Sequence, residues 1–178
     1  MDRVPELISA ERIHARVGEL AAEIVAADGH AAASELLVVV VLNGAFVFAA
    51  DLLRAFDREG AGPGIDFLAV SSYGDGTRSS GDVEFRCPPK CSVEGRSVLL
   101  VDDILDTGRS LGAVKEWLEQ QGAARVRTCV LLDKPTRRET AMEADYIGFE
   151  IPDRFVVGYG LDYAEQYRHL PYVGALEA

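Results

Sequence analysis

An α/β fold built on a central parallel sheet is what this 178-residue sequence predicts. Three observations predict it. Short apolar runs rich in β-branched residues recur along the chain, amphipathic helical stretches separate them, and polar or glycine-containing turns end each run abruptly. Uninterrupted apolar strands are buried on both faces, the habit of parallel strands covered by crossover helices. Such crossovers are right-handed, and ligands of these sheets bind beyond the carboxyl ends of the strands.

Each element follows in order. Ser9 is placed to N-cap a helix whose Ile13, Val17, Leu20 and Ile24 form one stripe, with Gly29 as its stop. Leu36–Leu42 is a strand with no polar residue; it halts at Asn43-Gly44, and Ala45–Phe56 reads as a helix. Gly60–Gly64 is a turn cluster, followed by a strand over Ile65–Ser71. Gly74–Gly81 is too polar and glycine-rich to pack and reads as a mobile loop. Val98–Val101 is a second buried strand ending in Asp102-Asp103. A helix follows with Leu111, Val114, Trp117 and Leu118 as its apolar face, closed by Gly122, and Val126–Leu132 is another strand. This order gathers Asn43-Gly44, Tyr73, Asp102–Ser110 and Asp133-Lys134 at one sheet edge. No internal repeat interrupts it.

Composition sets the class. With 48% apolar and 26% charged residues, residues 1–178 read as a single globular domain with a sizeable core, not a disordered or disulfide-stapled chain. Its 18 basic against 29 acidic residues leave a net charge of −11. That charge repels nucleic acid, so a bound phosphate must be held locally by amides, a metal ion or a few placed cations. Met1–Glu6 has no apolar signal core, and no apolar stretch approaches the about 18 residues that span a bilayer. The three cysteines, Cys87, Cys91 and Cys129, are an odd number and read as free thiols of a reducing cytoplasm. Cys87-Pro-Pro-Lys-Cys91 lacks zinc-site spacing, and His14, His30 and His169 all lie far from it in sequence.

The chemistry concentrates in Val98-Leu-Leu-Val-Asp-Asp-Ile-Leu-Asp-Thr-Gly-Arg-Ser-Leu111. A buried strand delivers Asp102 and Asp103 to the edge on opposite sides. Asp106 follows, and Thr107-Gly108-Arg109-Ser110 runs into a helix N-terminus, where unpaired amides and hydroxyls make a phosphate cradle. Three clustered carboxylates repel one another unless a cation or polyol donors offset them, which suits a ribose 5-phosphate. Other readings of these residues stand beside that one. The strand ending in Asp-Asp imitates a Walker B strand, although no G-x-x-x-x-G-K-[ST] is present. It also imitates a receiver-type acidic pocket, and the aspartates could serve as caps and turn formers.

The same segment resembles the phosphoribosyl pyrophosphate signature of type I phosphoribosyltransferases. Around it the chain resembles the hypoxanthine-guanine members over nearly its whole length, through Leu42–Leu53, Ser71–Gly74, Leu131–Pro135, Gly148–Tyr163 and Tyr167–Tyr172. The resemblance implies the type I fold: a central parallel twisted sheet flanked by helices, with a small hood from the N-terminal segment and roughly residues 150–178. It also implies purine salvage, the Mg2+-dependent transfer of 5-phosphoribosyl from phosphoribosyl pyrophosphate to N9 of hypoxanthine or guanine, and assembly as a homodimer or homotetramer.

By the same resemblance, Asp102 and Asp103 bind the ribose hydroxyls directly or through magnesium, and Asp106 is the general base. Thr107, Gly108, Arg109 and Ser110 hold the 5′-phosphate. Lys134 donates to the purine 6-oxo group, Phe155 stacks on the ring, and the main chain of Val156 reads its edge. Asp162 holds a second magnesium, and Arg168 pairs with pyrophosphate, which also meets the amides of Asn43 and Gly44. Ser72 and Tyr73 begin a lid over the cationic sugar. Two departures stand out. The family's first pyrophosphate loop usually reads Leu-Lys-Gly with a cis peptide after the leucine, whereas this chain has Leu42-Asn43-Gly44; and Asp102 stands where glutamate is common. Rival functions are a xanthine-preferring transferase and a regulator of this fold that binds nucleotides and nucleic acid. The net charge of −11 weighs against the regulator.

Overall fold

A computed structural model describes residues 4–71 and 84–176. The chain opens with strand β1 (Glu6–Ile8) and helix α1 (Ala10–Asp28), whose cap is Ser9: its hydroxyl accepts from the Arg12 amide at 3.3 Å. Gly29 ends α1 at a φ of 79°, and a short second helix, α2 (His30–Glu35), restarts at once. The sequence reading contains no such helix, because a glycine stop conceals an alanine-rich turn behind it. Next come β2 (Leu37–Leu42), α3 (Phe46–Arg58), β3 (Gly64–Ser71) and β4 (Glu84–Cys87). They are followed by β5 (Ser97–Leu105), α4 (Arg109–Gln120), β6 (Arg125–Asp133), β7 (Tyr146–Glu150), β8 (Val156–Val157) and β9 (Val173–Ala175).

Among the described residues the main sheet runs β4-β3-β2-β5-β6-β7. Its strands are parallel except for β4, which lies antiparallel on the β3 edge. The parallel sheet of the sequence reading is therefore mixed at one border. Strand β5 also runs past the expected end at Asp102-Asp103. Its backbone keeps a partner in β6, with Asp102 opposite Val130 and Leu105 opposite Asp133, so the ladder continues beneath the acids.

Alternation along the central strands divides the core in two. Val38 and Val40 of β2, with Leu99 and Val101 of β5, pack against Leu20, Ile24, Phe48 and Leu52 of α1 and α3. Leu37 and Val39, with Val98 and Leu100, pack on the other face against Leu111, Val114 and Leu118 of α4. Every one of these side chains is almost fully excluded from water, and each contributes about 1.5–3 kcal/mol by burial. By the same alternation Asp102 shares the α4 face and Asp103 the α1/α3 face. One buried ion pair fastens α1 to the sheet: Arg127 of β6 meets Asp28 and donates to the Tyr146 hydroxyl at 2.6 Å.

A second, three-stranded sheet, β1-β9-β8, forms from the two ends of the chain. The Ala175 amide donates to the Pro5 carbonyl at 3.0 Å, and the Tyr172 hydroxyl to the Val4 carbonyl at 3.1 Å. Tyr159 ties this hood to the body by donating its hydroxyl to Asp51 of α3 at 2.7 Å. Cys87 and Cys91 are exposed free thiols and Cys129 is buried. No helix among the described residues is long and apolar enough to cross a membrane.

Leu20 is wholly buried between α1 and the sheet. Leu20→Ala is expected to lower the free energy of unfolding by about 2–5 kcal/mol, read as a shifted urea midpoint with an unchanged slope.

Candidate active site

Strands β2, β5, β6 and β7 end at one edge, and short hydrogen bonds stitch those ends together. The Lys134 amide donates to the Leu105 carbonyl at 2.9 Å, and the Ile151 amide to the Asp133 carbonyl at 2.8 Å. Asp102 and Asp103, Asp106, Lys134 and the segment leading to Phe155 are thereby fixed along a single rim.

The first feature of the rim is the acid pair. The Asp103 amide donates to Asp102 Oδ1 at 2.9 Å. Both carboxyls are surrounded by protein on most sides, and this burial raises the Asp102 carboxyl well above the usual carboxylate range, with the neighbouring Asp103 charge adding to it. Burial raises Asp103 too, while its contacts with Asp102 and the Arg168 cation act the other way. Two acids so placed attract cations or hydroxyl donors. Gly44 lies against them: a Cβ there would fall 1.6 Å from Asp103 Oδ2. The Leu42-Asn43 peptide just before it is cis, Asn43 is exposed, and its carbonyl accepts from the Phe46 amide at 3.3 Å as α3 begins.

The second feature is the turn from β5 into α4. Gly108 caps the helix at a φ of 85°, and a Cβ on it would lie 2.4 Å from Thr140 Oγ1. The first turn of α4 presents backbone N–H groups at the rim, where anions are favoured. Thr107 Oγ1 accepts from the Arg109 amide at 3.4 Å, and Ser110 is exposed. The Arg109 side chain turns toward Glu139, 2.7 Å away. Arg138 supports this turn from behind. It donates to the Leu105 carbonyl at 3.2 Å, to the Asp106 carbonyl, and to the Asp133 carboxylate.

The third feature is the far end of the rim. Lys134 is buried, and among the described residues its ammonium faces only the Asp153 carboxylate, at a loose 3.9 Å. A buried ammonium so weakly partnered has donor capacity left for a ligand oxygen. Phe155 is 53% exposed, and its ring stands edge-on to Tyr163 with centroids 5.4 Å apart. Only Val156–Val157 beyond it forms a strand, and Phe155 is a surface ring and not a core residue.

Two expected ligand-binding groups occupy each other. Arg168 pairs with Asp162 at 2.7 Å and donates to the Gly160 carbonyl at 2.6 Å; Asp162 also accepts from the Glu165 amide at 2.8 Å. Asp106 likewise is not free, because its carboxylate accepts from Arg137 Nε at 3.1 Å. No group of three or more His, Cys, Asp or Glu side chains converges as a metal cage among the described residues. Ser72 and Tyr73 lie outside the described residues. Sequence reasoning missed Arg137, Arg138 and Asp153, although a dibasic pair just after Lys134 in so acidic a chain was a visible signal.

The chain matches the phosphoribosyl transferase domain family over residues 6–164, and it belongs to that family. The hypoxanthine-guanine phosphoribosyltransferase of Aquifex aeolicus is 45% identical over 96% of this chain and 93% of its own length. The bifunctional protein TilS/HprT of Listeria innocua is 46% identical over 96% of this chain, which spans 26% of that longer protein. A structure of Trypanosoma cruzi hypoxanthine phosphoribosyl transferase, addressing the role of its C-terminal region in oligomeric state and enzymatic activity, superimposes with a TM-score of 0.93. It is 36% identical, and the match covers 99% of this chain and 94% of that one. Within the family the chain stands with the hypoxanthine-guanine phosphoribosyltransferases, and it is an enzyme.

The two glycines separate site from scaffold. Gly44→Ala would set its Cβ 1.6 Å from Asp103 Oδ2 and 2.6 Å from Asp103 Cγ, so the whole carboxylate must turn away and activity is expected to fall, with a smaller loss of stability than in Gly108→Ala. Gly108→Ala combines a left-handed backbone with Thr140 in the way and is expected to cost about 1–3 kcal/mol as well. Paired urea unfolding and initial-rate measurements distinguish the two outcomes.

Proposed function

We propose that this enzyme transfers the 5-phosphoribosyl group of phosphoribosyl pyrophosphate to N9 of hypoxanthine and guanine, yielding IMP or GMP and pyrophosphate. The observation that carries this reading is the shared rim: an acid pair, an amide-rich helix start, a weakly partnered buried lysine and an exposed aromatic ring follow one another along it. The purine-salvage names of the relatives support the same reading.

Asp102 and Asp103 accept hydrogen bonds from the ribose hydroxyls. The amides and hydroxyls of Thr107, Gly108, Arg109 and Ser110 hold the 5′-phosphate, and the Asn43 and Gly44 amides meet pyrophosphate, with Arg168 swinging from Asp162 to join them. Phe155 stacks under the purine, the Val156 main chain reads its edge, and Lys134 donates to the 6-oxo oxygen. Adenine presents an amino group there, a donor facing a donor. As the C1′–oxygen bond to pyrophosphate breaks with its electron pair leaving on oxygen, purine N9 forms the new bond to C1′. Asp106 takes the purine proton.

The donor set fits magnesium. Asp102 and Asp103 offer hard carboxylate oxygens, and Asp162 offers a third carboxylate. Mg2+ is ordinarily held by one or two carboxylates together with substrate oxygens, so a protein cage is not required. When bound, the ion neutralises charge on the pyrophosphate leaving group. We further infer a cytoplasmic enzyme that assembles as a homodimer or homotetramer. Exposed Phe46 is a large apolar side chain at the surface, which supports self-association; it lines a cavity of about 530 Å3 with Val47, Tyr159, Arg168, His169, Leu170 and Pro171.

A spectrophotometric assay with phosphoribosyl pyrophosphate, Mg2+ and each of hypoxanthine, guanine, xanthine and adenine tests the reading. Conversion of the first two and not of adenine is expected; a marked preference for xanthine would reassign the acceptor. Asp106→Asn is expected to lower turnover by roughly two to four orders of magnitude, and near-normal turnover would remove it from the role of base.

A further inference from the structure

Four charged groups form an alternating row along the purine end of the rim. Arg137 Nε donates to Asp106 Oδ1 at 3.1 Å, Arg137 Nη1 lies 3.7 Å from Asp153 Oδ2, and Asp153 Oδ1 lies 3.9 Å from Lys134 Nζ. The two ends of the row are the proposed base and the proposed 6-oxo donor. The two inner members have no role in the transfer described above.

Backbone geometry makes the row a ruler. Arg137 closes the 3-10 turn Pro135–Arg137, which begins directly after Lys134, and the Arg137 amide donates to the Lys134 carbonyl at 3.0 Å. Pro135 restricts the turn further by fixing its φ. Arg137 is therefore positioned relative to Lys134 by its backbone and relative to Asp106 by its guanidinium. A guanidinium is a planar fork with directed donors, so one prong on Asp106 and another facing Asp153 orient it in a way a point charge cannot. Its proton affinity is raised first by the hydrogen bond to Asp106 and then by the charges of Asp106, Asp153 and Glu139. Arg138 meanwhile holds the Asp106 main chain, leaving the carboxylate's direction to Arg137.

We propose that Arg137, braced by Asp153, is a positioning residue that aims the Asp106 carboxylate and sets its separation from Lys134, so that both groups engage one purine together. This rests on the roles of Asp106 and Lys134 given under Proposed function. A structural role is a poor account of the row. Arg137 and Asp153 are both about half exposed (48% and 53%), and exposed ion pairs contribute little to stability. What such a pair can do is restrict a neighbour's direction, and misplacing a reacting group is costly to rate.

The test is a mutant cycle on the full chain, assayed with phosphoribosyl pyrophosphate, Mg2+ and hypoxanthine. Arg137→Gln is expected to lower kcat roughly 10- to 100-fold, leave KM for phosphoribosyl pyrophosphate unchanged, and move Tm by no more than about 4 °C. Arg137→Lys, which keeps the cation and loses the fork, is expected to recover part of that loss. Asp153→Asn is expected to lower kcat in the same direction and to raise KM for hypoxanthine. In an Asp106→Asn background, Arg137→Gln is expected to add less than about a twofold further loss, because it acts through that carboxylate. An active wild type whose Arg137→Gln variant keeps kcat, or loses as much again in the Asp106→Asn background, overturns the inference alone. A wild type inactive on every 6-oxopurine overturns the reading of function and this inference with it.

Discussion

Two adjacent, half-buried carboxyls at the end of a central strand are the constraint around which the rest of the site is arranged. Strand β5 is flanked on both sides, so it carries Asp102 and Asp103 into surroundings where charge is poorly solvated. A protein can keep such groups only if they are protonated, hydrogen-bonded or offset by cations. Here the answer is partly local, through the Asp103 amide and the Arg168 cation. An unsatisfied preference for positive charge and hydroxyl donors underlies the proposal that a sugar and a metal ion bind at this rim.

That constraint propagates into the neighbouring loops. Gly44 has no side chain because Asp103 fills the space one would need. Gly160 of the hood lends its carbonyl to Arg168, whose charge in turn reaches Asp103. On the other side, Arg138 pins the carbonyls of Leu105 and Asp106, so the chain leaves β5 in a direction that opens the α4 amides to the rim. Helix starts favour anions wherever they occur; at this one a part-buried arginine holds the turn before it.

Much of this was legible in the sequence. The Ser9 cap, the all-apolar run of β2 and the stripe of α4 are local signals, and each became the element its pattern implies. The motif from Val98 to Leu111 was legible for a related reason: the acids, the glycine and the helix start are contiguous, so their relative geometry is set by one strand and one turn. The antiparallel β4 edge and the extra length of β5 were not legible. Both depend on whether a neighbouring strand offers free backbone groups, and that is a property of the assembled sheet. Helix α2 was hidden for a different reason, since Gly29 ends one helix and precedes another with equal ease.

The sequence by itself determined the type of fold, the strand and helix that carry the acids and the amide-rich turn, and the chemical kinds of side chain available at the rim. It could do so because local propensity, apolar period and strand alternation act over a few residues. Only the tertiary structure decided how those side chains are paired. Asp106 with Arg137, Arg168 with Asp162, and Lys134 with Asp153 are all ion pairs between groups on long, rotatable stems or separate loops. Which carboxylate a given cation meets depends on distances set by packing the sheet and closing the hood over it. Coulomb attraction has no sequence register, so that choice is made when the strand ends come together.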